Sequence, residues 1–226
     1  ASAFSKPVNV YSTALDRALY SEARHALKKN AKQEYVRLRH ELEEKNYPLV
    51  VYLDYREISG KLSRLSLSQA KSKLEYYSST PLKARFWRNY LAWLGQAKRW
   101  RNFLNFYELM PSESPSEILR CYHARALRGT GELNEAWFET RNLWIYGGSR
   151  PSQCDPIFKL WLKSKAFDDS AVKGRMLAAF NEGNRGLMNY ASRFGSVELE
   201  SWSNMVKRIY SKPHRINRYK LSTDDL

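Results

Sequence analysis

Cysteine is scarce: the 226 residues carry two, Cys121 and Cys154. That excludes a disulfide-dense miniature scaffold and a zinc site built on cysteine pairs. Acidic residues are also short, 23 against 38 Lys and Arg, for a formal net charge of +15. No apolar run is long enough to span a bilayer, so no transmembrane segment is expected. The start, Ala1-Ser2-Ala3-Phe4, has no basic region followed by an apolar one, so no uncleaved signal peptide is visible. No glycine loop follows a strand pattern, since Gly147-Gly148 joins two helical patterns. His25, His40, His123 and His214 lack metal-ligand spacing, and nucleophile-elbow serines are absent. No cofactor or metal is expected.

What the sequence has is helical periodicity. Hydrophobic residues make up 43%, which excludes wholesale disorder. From Pro115 to Lys165 a stripe with the 3.6-residue period recurs three times. It runs through Ile118, Cys121 and Tyr122, then Leu133, Ala136, Trp137, Thr140, Leu143 and Trp144, then Cys154, Ile157, Phe158 and Trp161. Gly129-Thr130-Gly131 is read as the first break and Gly147-Gly148-Ser149 with Pro151 as the second. Upstream, helices are predicted over Val10 to Asn30 (Tyr11, Leu15, Ala18, Leu19 and Ala26 inward), Lys32 to Lys45, and Leu49 to Ser59 with Tyr52, Tyr55 and Arg56 on one side. A fourth is capped by Ser66 or Ser68, a fifth opens at Thr80-Pro81, and Trp100 to Tyr107 forms a short sixth. Met110 to Pro115 reads as a loop. Downstream, helices are predicted from Phe167–Ser170 through Phe180, over Arg185 to Arg193 and over Ser196 to Tyr210. The tail from Lys212-Pro213 to Leu226 reads as incomplete.

With no convincing strand pattern, the chain is expected to be all-α. The turns Gln96–Arg101, Gly129–Asn134 and Glu182–Leu187 look alike. Trp100 and Leu133 occupy equivalent places, separated by the same interval as the two cysteines and close to a tetratricopeptide unit. The expected architecture is a curved α-superhelix, a solenoid of degenerate TPR-like hairpins, over residues 1–226. In such a stack, alternate helices run parallel, and two cysteines one hairpin apart can meet. Spacing alone leaves open a bridge, worth about 3–4 kcal/mol for a loop of this size, and two unrelated buried thiols.

Catalytic chemistry on glycans needs positioned carboxylic acids. Glu43-Glu44, Asp168-Asp169 and Asp224-Asp225 are adjacent pairs that diverge on a helix, and Glu113 sits in the Ser/Pro loop. They read as solvated charge or caps, and no residue is assigned as catalytic. The basic residues are spread over many helices, for example Lys28-Lys29, Lys98-Arg99 and Lys207-Arg208. That suits a polyanionic partner or a solvated surface. Nucleic acid ranks last, because no periodic base-reading positions stand out.

Several patterns, in this order, resemble the large soluble lytic murein transglycosylases. Tyr47-Pro48-Leu49 followed by Tyr52-Leu53-Asp54-Tyr55-Arg56-Glu57-Ile58 is similar to that family's Tyr-Pro-Leu…Tyr-Leu-Glu-Tyr-Arg segment. Trp100-Arg101, Cys121-Tyr122, Gly131-Glu132 with Glu135-Ala136-Trp137, Leu143-Trp144, and Cys154-Asp155…Phe158…Trp161 follow in the same order. The match covers most of the chain and corresponds to the N-terminal, U-shaped superhelix of those enzymes. The resemblance implies a periplasmic protein in which Cys121 and Cys154 are bridged. It also implies cleavage of peptidoglycan glycan strands to 1,6-anhydro products, with one glutamate acting as acid and then base. The family's Glu-Ser, Gly-Leu-Met-Gln and Ala-Tyr-Asn-Ala-Gly segments, which belong to a C-terminal lysozyme-like domain, have no counterpart here. Gly186-Leu187-Met188-Asn189 and Ser112-Glu113-Ser114 are only echoes. The expectation is therefore a non-catalytic scaffold. Its partners would be peptidoglycan glycan strands and the parent protein's own C-terminal catalytic domain. The alternative is a stand-alone helical-repeat scaffold that binds a protein.

Overall fold

The computed structural model describes residues 13–110 and 113–219. Tyr11, Ser112, the Asp224-Asp225 pair and the last part of the tail lie outside them. Among the described residues there are twelve α-helices, four 3-10 turns and no strand. The chain divides into two compact units, up to Trp93 and from Leu94 on.

The first unit holds α1 (Ala14–Lys28), α2 (Lys32–Glu44), α3 (Val50–Ser59), α4 (Leu67–Tyr76) and most of α5 (Leu82–Gln96). Ser66 starts α4 with a capping box: its hydroxyl accepts from the Gln69 amide at 3.2 Å, and the Gln69 side chain accepts from the Ser66 amide at 2.9 Å. Ala23 and Ala26 of α1 pack with Tyr35, Leu38 and Leu42 of α2, and with Tyr47, Val50 and Leu53. Leu15 was expected inward, but it is 71% exposed. The side read for α3 holds only in part: Tyr55 is buried and Tyr52 half-buried. Leu53, Asp54 and Tyr55 are buried, whereas Arg56 is exposed. A stripe through Val50, Leu53 and Asp54 satisfies the helical period if a carboxylate is allowed onto the inner face.

The second unit holds α6 (Trp100–Tyr107), α7 (Glu117–Thr130), α8 (Leu133–Trp144), α9 (Asp155–Trp161), α10 (Asp169–Asn181), α11 (Arg185–Ala191) and α12 (Glu200–Ser211). Its cores follow one another along the chain. Cys121, Ala124, Leu143, Trp144, Cys154, Ile157, Phe158, Trp161 and Ala171 form one. Val172, Met176, Ala179, Met188, Ala191, Leu199, Trp202 and Val206 form the next. Neighbour-on-neighbour burial of this kind is the signature of a helical repeat. The expected inward positions Ile118 and Leu133 are 39% and 48% exposed, and Leu119 takes the buried place at the start of α7.

The look-alike turns share one geometry. Lys98, Gly131 and Gly183 each have positive φ (54°, 106° and 68°). In each, the next amide reaches back five residues: Arg99 to Leu94 O, Glu132 to Leu127 O and Asn184 to Ala179 O. This is the Schellman closure, which satisfies carbonyls left over at a helix end. Asn30 repeats it, with φ 58° and Ala31 N–H bonded to Ala26 O, so α1–α2 is a further copy that the sequence reading did not group with the others. The break read at Gly129-Thr130-Gly131 falls at Gly131, the left-handed cap of α7, while Gly129 lies just inside the helix. A Cβ there would fall 2.3 Å from the Trp100 ring, so the glycine makes room for an indole.

Cys121, in the second turn of α7, is disulfide-bonded to Cys154, whose Cα lies 4.8 Å away in the 3-10 turn leading into α9. Both are fully buried. The bond ties α7 to the start of α9 and encloses α8.

Candidate functional site

Two arginines meet the end of α8. The last carbonyls of any helix lack internal partners and carry the negative end of its dipole. Arg150 Nε donates to Leu143 O at 2.8 Å, and Arg175 Nη1 donates to Trp144 O at 2.5 Å. Local sequence brings them there. Gly147 permits a tight approach to α10, where a Cβ would sit 2.5 Å from Ala178 O. Asn184 fixes the other side: its Nδ2 donates to Gly147 O at 3.2 Å and its Oδ1 accepts from the Leu187 amide at 3.0 Å.

A cleft of about 440 Å³ opens beside these arginines. Trp144, Phe158, Leu187 and Tyr190 give it an apolar lining, Arg150 and Arg175 a cationic one, and Asp155 a carboxylate. The two arginines differ. Arg150 stacks on Tyr146, 3.7 Å from the ring centre, and pairs with Glu117. Arg175 is 4% exposed and lies over Trp144, 4.1 Å from the ring centre. It has no carboxylate partner among the described residues, and its buried Nε has no acceptor. Burial pushes its pKa down to about 10; the neighbouring Arg150 charge adds to this, and Tyr190 opposes it.

A larger cleft, about 620 Å³, lies at the end of α12 and is lined by Lys207, Arg208, Lys212, Arg215 and Tyr219. Its cations are exposed or half-buried, as on a solvated surface, and no buried polar group points into it. The smaller cleft is the built one.

The residues singled out in the sequence are dispersed. Gly186 and Leu187, from the echo segment in α11, line the smaller cleft, while Met188 is core. Asp155 and Phe158, which follow the second cysteine, line it too. Asp168 caps α10, accepting from the Ala171 amide at 3.0 Å and pairing with Arg141 at 3.1 Å. Glu43 pairs with Arg39. Among the described residues, no three His, Cys, Asp or Glu side chains gather as metal ligands, and no helix is long and apolar enough to cross a membrane. Sequence reasoning missed Arg175 and Arg150. The signal for Arg175 was its place on the apolar stripe Val172, Met176 and Ala179, where the period calls for a hydrophobe.

No family model matches the chain. The soluble lytic murein transglycosylase of Escherichia coli is 25% identical over 179 residues, 79% of this chain. That of Salmonella typhimurium is 25% identical over 172 residues, 76% of the chain. The chain is a homologue of the soluble lytic murein transglycosylases. It spans only about a quarter of these relatives, 27% and 26% of their lengths. Two solved transglycosylase structures share the fold. The 70-kDa soluble enzyme of Escherichia coli superposes with TM-score 0.76 at 24% identity, over 95% of this chain and 34% of its own. An inactive mutant of the lytic transglycosylase Slt from Pseudomonas aeruginosa gives 0.72 at 24%, over 88% of this chain and 32% of its own. In this homologue the family-like Tyr-Leu-Asp-Tyr stretch is structural. Asp54 is 5% exposed and accepts from Tyr77 Oη at 2.5 Å and Lys73 Nζ at 2.6 Å, with Arg39 at 3.6 Å.

Proposed function

We propose that this chain is the N-terminal superhelical part of a soluble lytic transglycosylase and works without doing the chemistry itself. It holds peptidoglycan glycan strands for the parent protein's catalytic domain, which cleaves them to 1,6-anhydro-muropeptides. The observation that carries this reading is the pattern of likeness. Four-fifths of this chain aligns with about a quarter of each curated relative, and the aligned part folds as a helical repeat. A supporting observation concerns acids. A glutamate that serves first as acid needs burial to stay protonated at neutral pH. Every glutamate among the described residues is exposed or half-buried. The proposed compartment is the periplasm, which suits a buried disulfide because it is oxidising.

The test uses the purified chain with insoluble peptidoglycan sacculi. Co-sedimentation without release of anhydro-muropeptides is the expected result. Release of those products by the clean chain would overturn the non-catalytic assignment, and failure to co-sediment would overturn the peptidoglycan assignment.

A further inference from the structure

Arg175 is an anomaly that helix capping only partly explains. Its neighbours on the same face of α10, Val172 and Met176, are fully buried hydrophobes. A methionine in its place would fill the slot without taking a charge out of water, which is costly for an ion with no counter-ion. The helix end it caps offers the equivalent of about half a negative charge, and Arg150 already binds the adjacent carbonyl. Capping accounts for Nη1 and leaves Nε and most of the charge unanswered.

The cleft shows what kind of group would answer it. At about 440 Å³ it falls in the size range of small-ligand sites. With Nη1 on the Trp144 carbonyl and Nε sealed from solvent, Nη2 is the donor left to meet a carboxylate in a charge-assisted hydrogen bond. Trp144 and Phe158 are buried and Tyr190 is 42% exposed, which gives aromatic surface for the body of a ligand. Asp155 is exposed at the same cleft, with no ion pair or hydrogen bond among the described residues. A fixed carboxylate there penalises a dianion such as phosphate more than a singly charged group.

We propose that the cleft formed by α8, α9, α10 and α11 binds a small monocarboxylate, its carboxylate on the Arg175 guanidinium and its body against Tyr190. The identity of the natural ligand rests on the reading above: it is a carboxylate carried by peptidoglycan, on the sugar or on the peptide.

Titration calorimetry on the whole chain tests this. The probes are N-acetylmuramic acid for a sugar carboxylate, D-alanyl-D-alanine for a peptide carboxylate, N-acetylglucosamine as a neutral sugar, and inorganic phosphate. One of the two carboxylates is expected to bind, and which one identifies the source. The neutral sugar is expected not to bind, and phosphate to bind about tenfold more weakly or not at all. Arg175→Met should lose about tenfold or more in affinity while its melting temperature stays or rises; Arg175→Lys should recover part of the binding. Tyr190→Ala, at a partly exposed position, should weaken binding with the fold intact, and Asp155→Asn should narrow the gap between carboxylate and phosphate. Unchanged binding by Arg175→Met overturns the proposal. So does a lowered melting temperature in that variant, which would make Arg175 a structural cap, and so does phosphate binding as tightly as the carboxylates. Carboxylate binding by a chain that does not co-sediment with sacculi removes the peptidoglycan reading and keeps the site. Co-sedimentation without carboxylate binding does the reverse.

Discussion

Among the described residues, Asp54 in the first unit and Arg175 in the second are the charged residues buried as a whole, and the two ions are treated in opposite ways. Asp54 in the first unit is enclosed by Lys73, Tyr77 and Arg39, so its charge and its lone pairs are answered from within. Arg175 in the second has one carbonyl, aromatic faces and no carboxylate among the described residues. A fully answered buried ion fixes structure, because removing it strands its partners. A buried ion left open toward a cleft keeps its strongest interaction free. The comparison separates a charge that holds the fold from one that is available to a ligand.

The sharpest way to break this contrast is to remove both ions. Asp54→Ala strands a lysine and a buried tyrosine hydroxyl, and urea unfolding should show a loss of about 3–5 kcal/mol. Arg175→Met should lose nothing or gain stability. Equal losses at the two sites would erase the distinction. Next in size is the disulfide of the second unit. Cys121→Ser should cost about 2–4 kcal/mol, and the loss should match that seen when the native protein is reduced. Gly129→Ala should cost about 1–3 kcal/mol, because the added methyl meets the Trp100 ring. Trp100→Leu in the same chain should recover part of the loss, a coupling that a double-mutant cycle measures.

The smallest effect is a pH dependence confined to the second unit. His123 stacks on Tyr107, with ring centres 4.3 Å apart, and burial holds its pKa below the ordinary value of 6.5. The folded state therefore binds fewer protons than the unfolded state just below pH 6.5. Stability contributed by neutral His123 is complete above that value and falls as pH drops toward its folded pKa. His123→Phe should flatten this part of the stability–pH curve relative to the parent protein, as followed by thermal melts from pH 7.5 to 5.

Helix limits were legible where local chemistry decides them. Trp100 to Tyr107 is a helix as read, and Ser66 caps α4 because a serine hydroxyl and the side chain of a glutamine three residues on accept from each other's backbone amides. The buried ions were not legible, because their environments are assembled from far along the chain. Asp54 meets Lys73 and Tyr77, and Arg175 meets the carbonyl of Trp144. A helical period marks Asp54 and Arg175 as misplaced polar residues but cannot say which has found partners. The same limit explains Leu15, Ile118 and Leu133. Each fits a stripe on its own helix but remains exposed, by 71%, 39% and 48%. The role of Gly129 was missed for the opposite reason: its absent side chain is required by an indole on another helix.

The bond between Cys121 and Cys154 also decides how the chain answers a pull on its ends. Tension entering α7 crosses to the start of α9 through sulfur, so α8 carries none of it. The bridge hides a stretch of chain with a sequence separation of 33 from extension, roughly 110 Å of contour at about 3.4 Å per step. Stretched singly, the oxidised protein should come up short of the reduced one by that length.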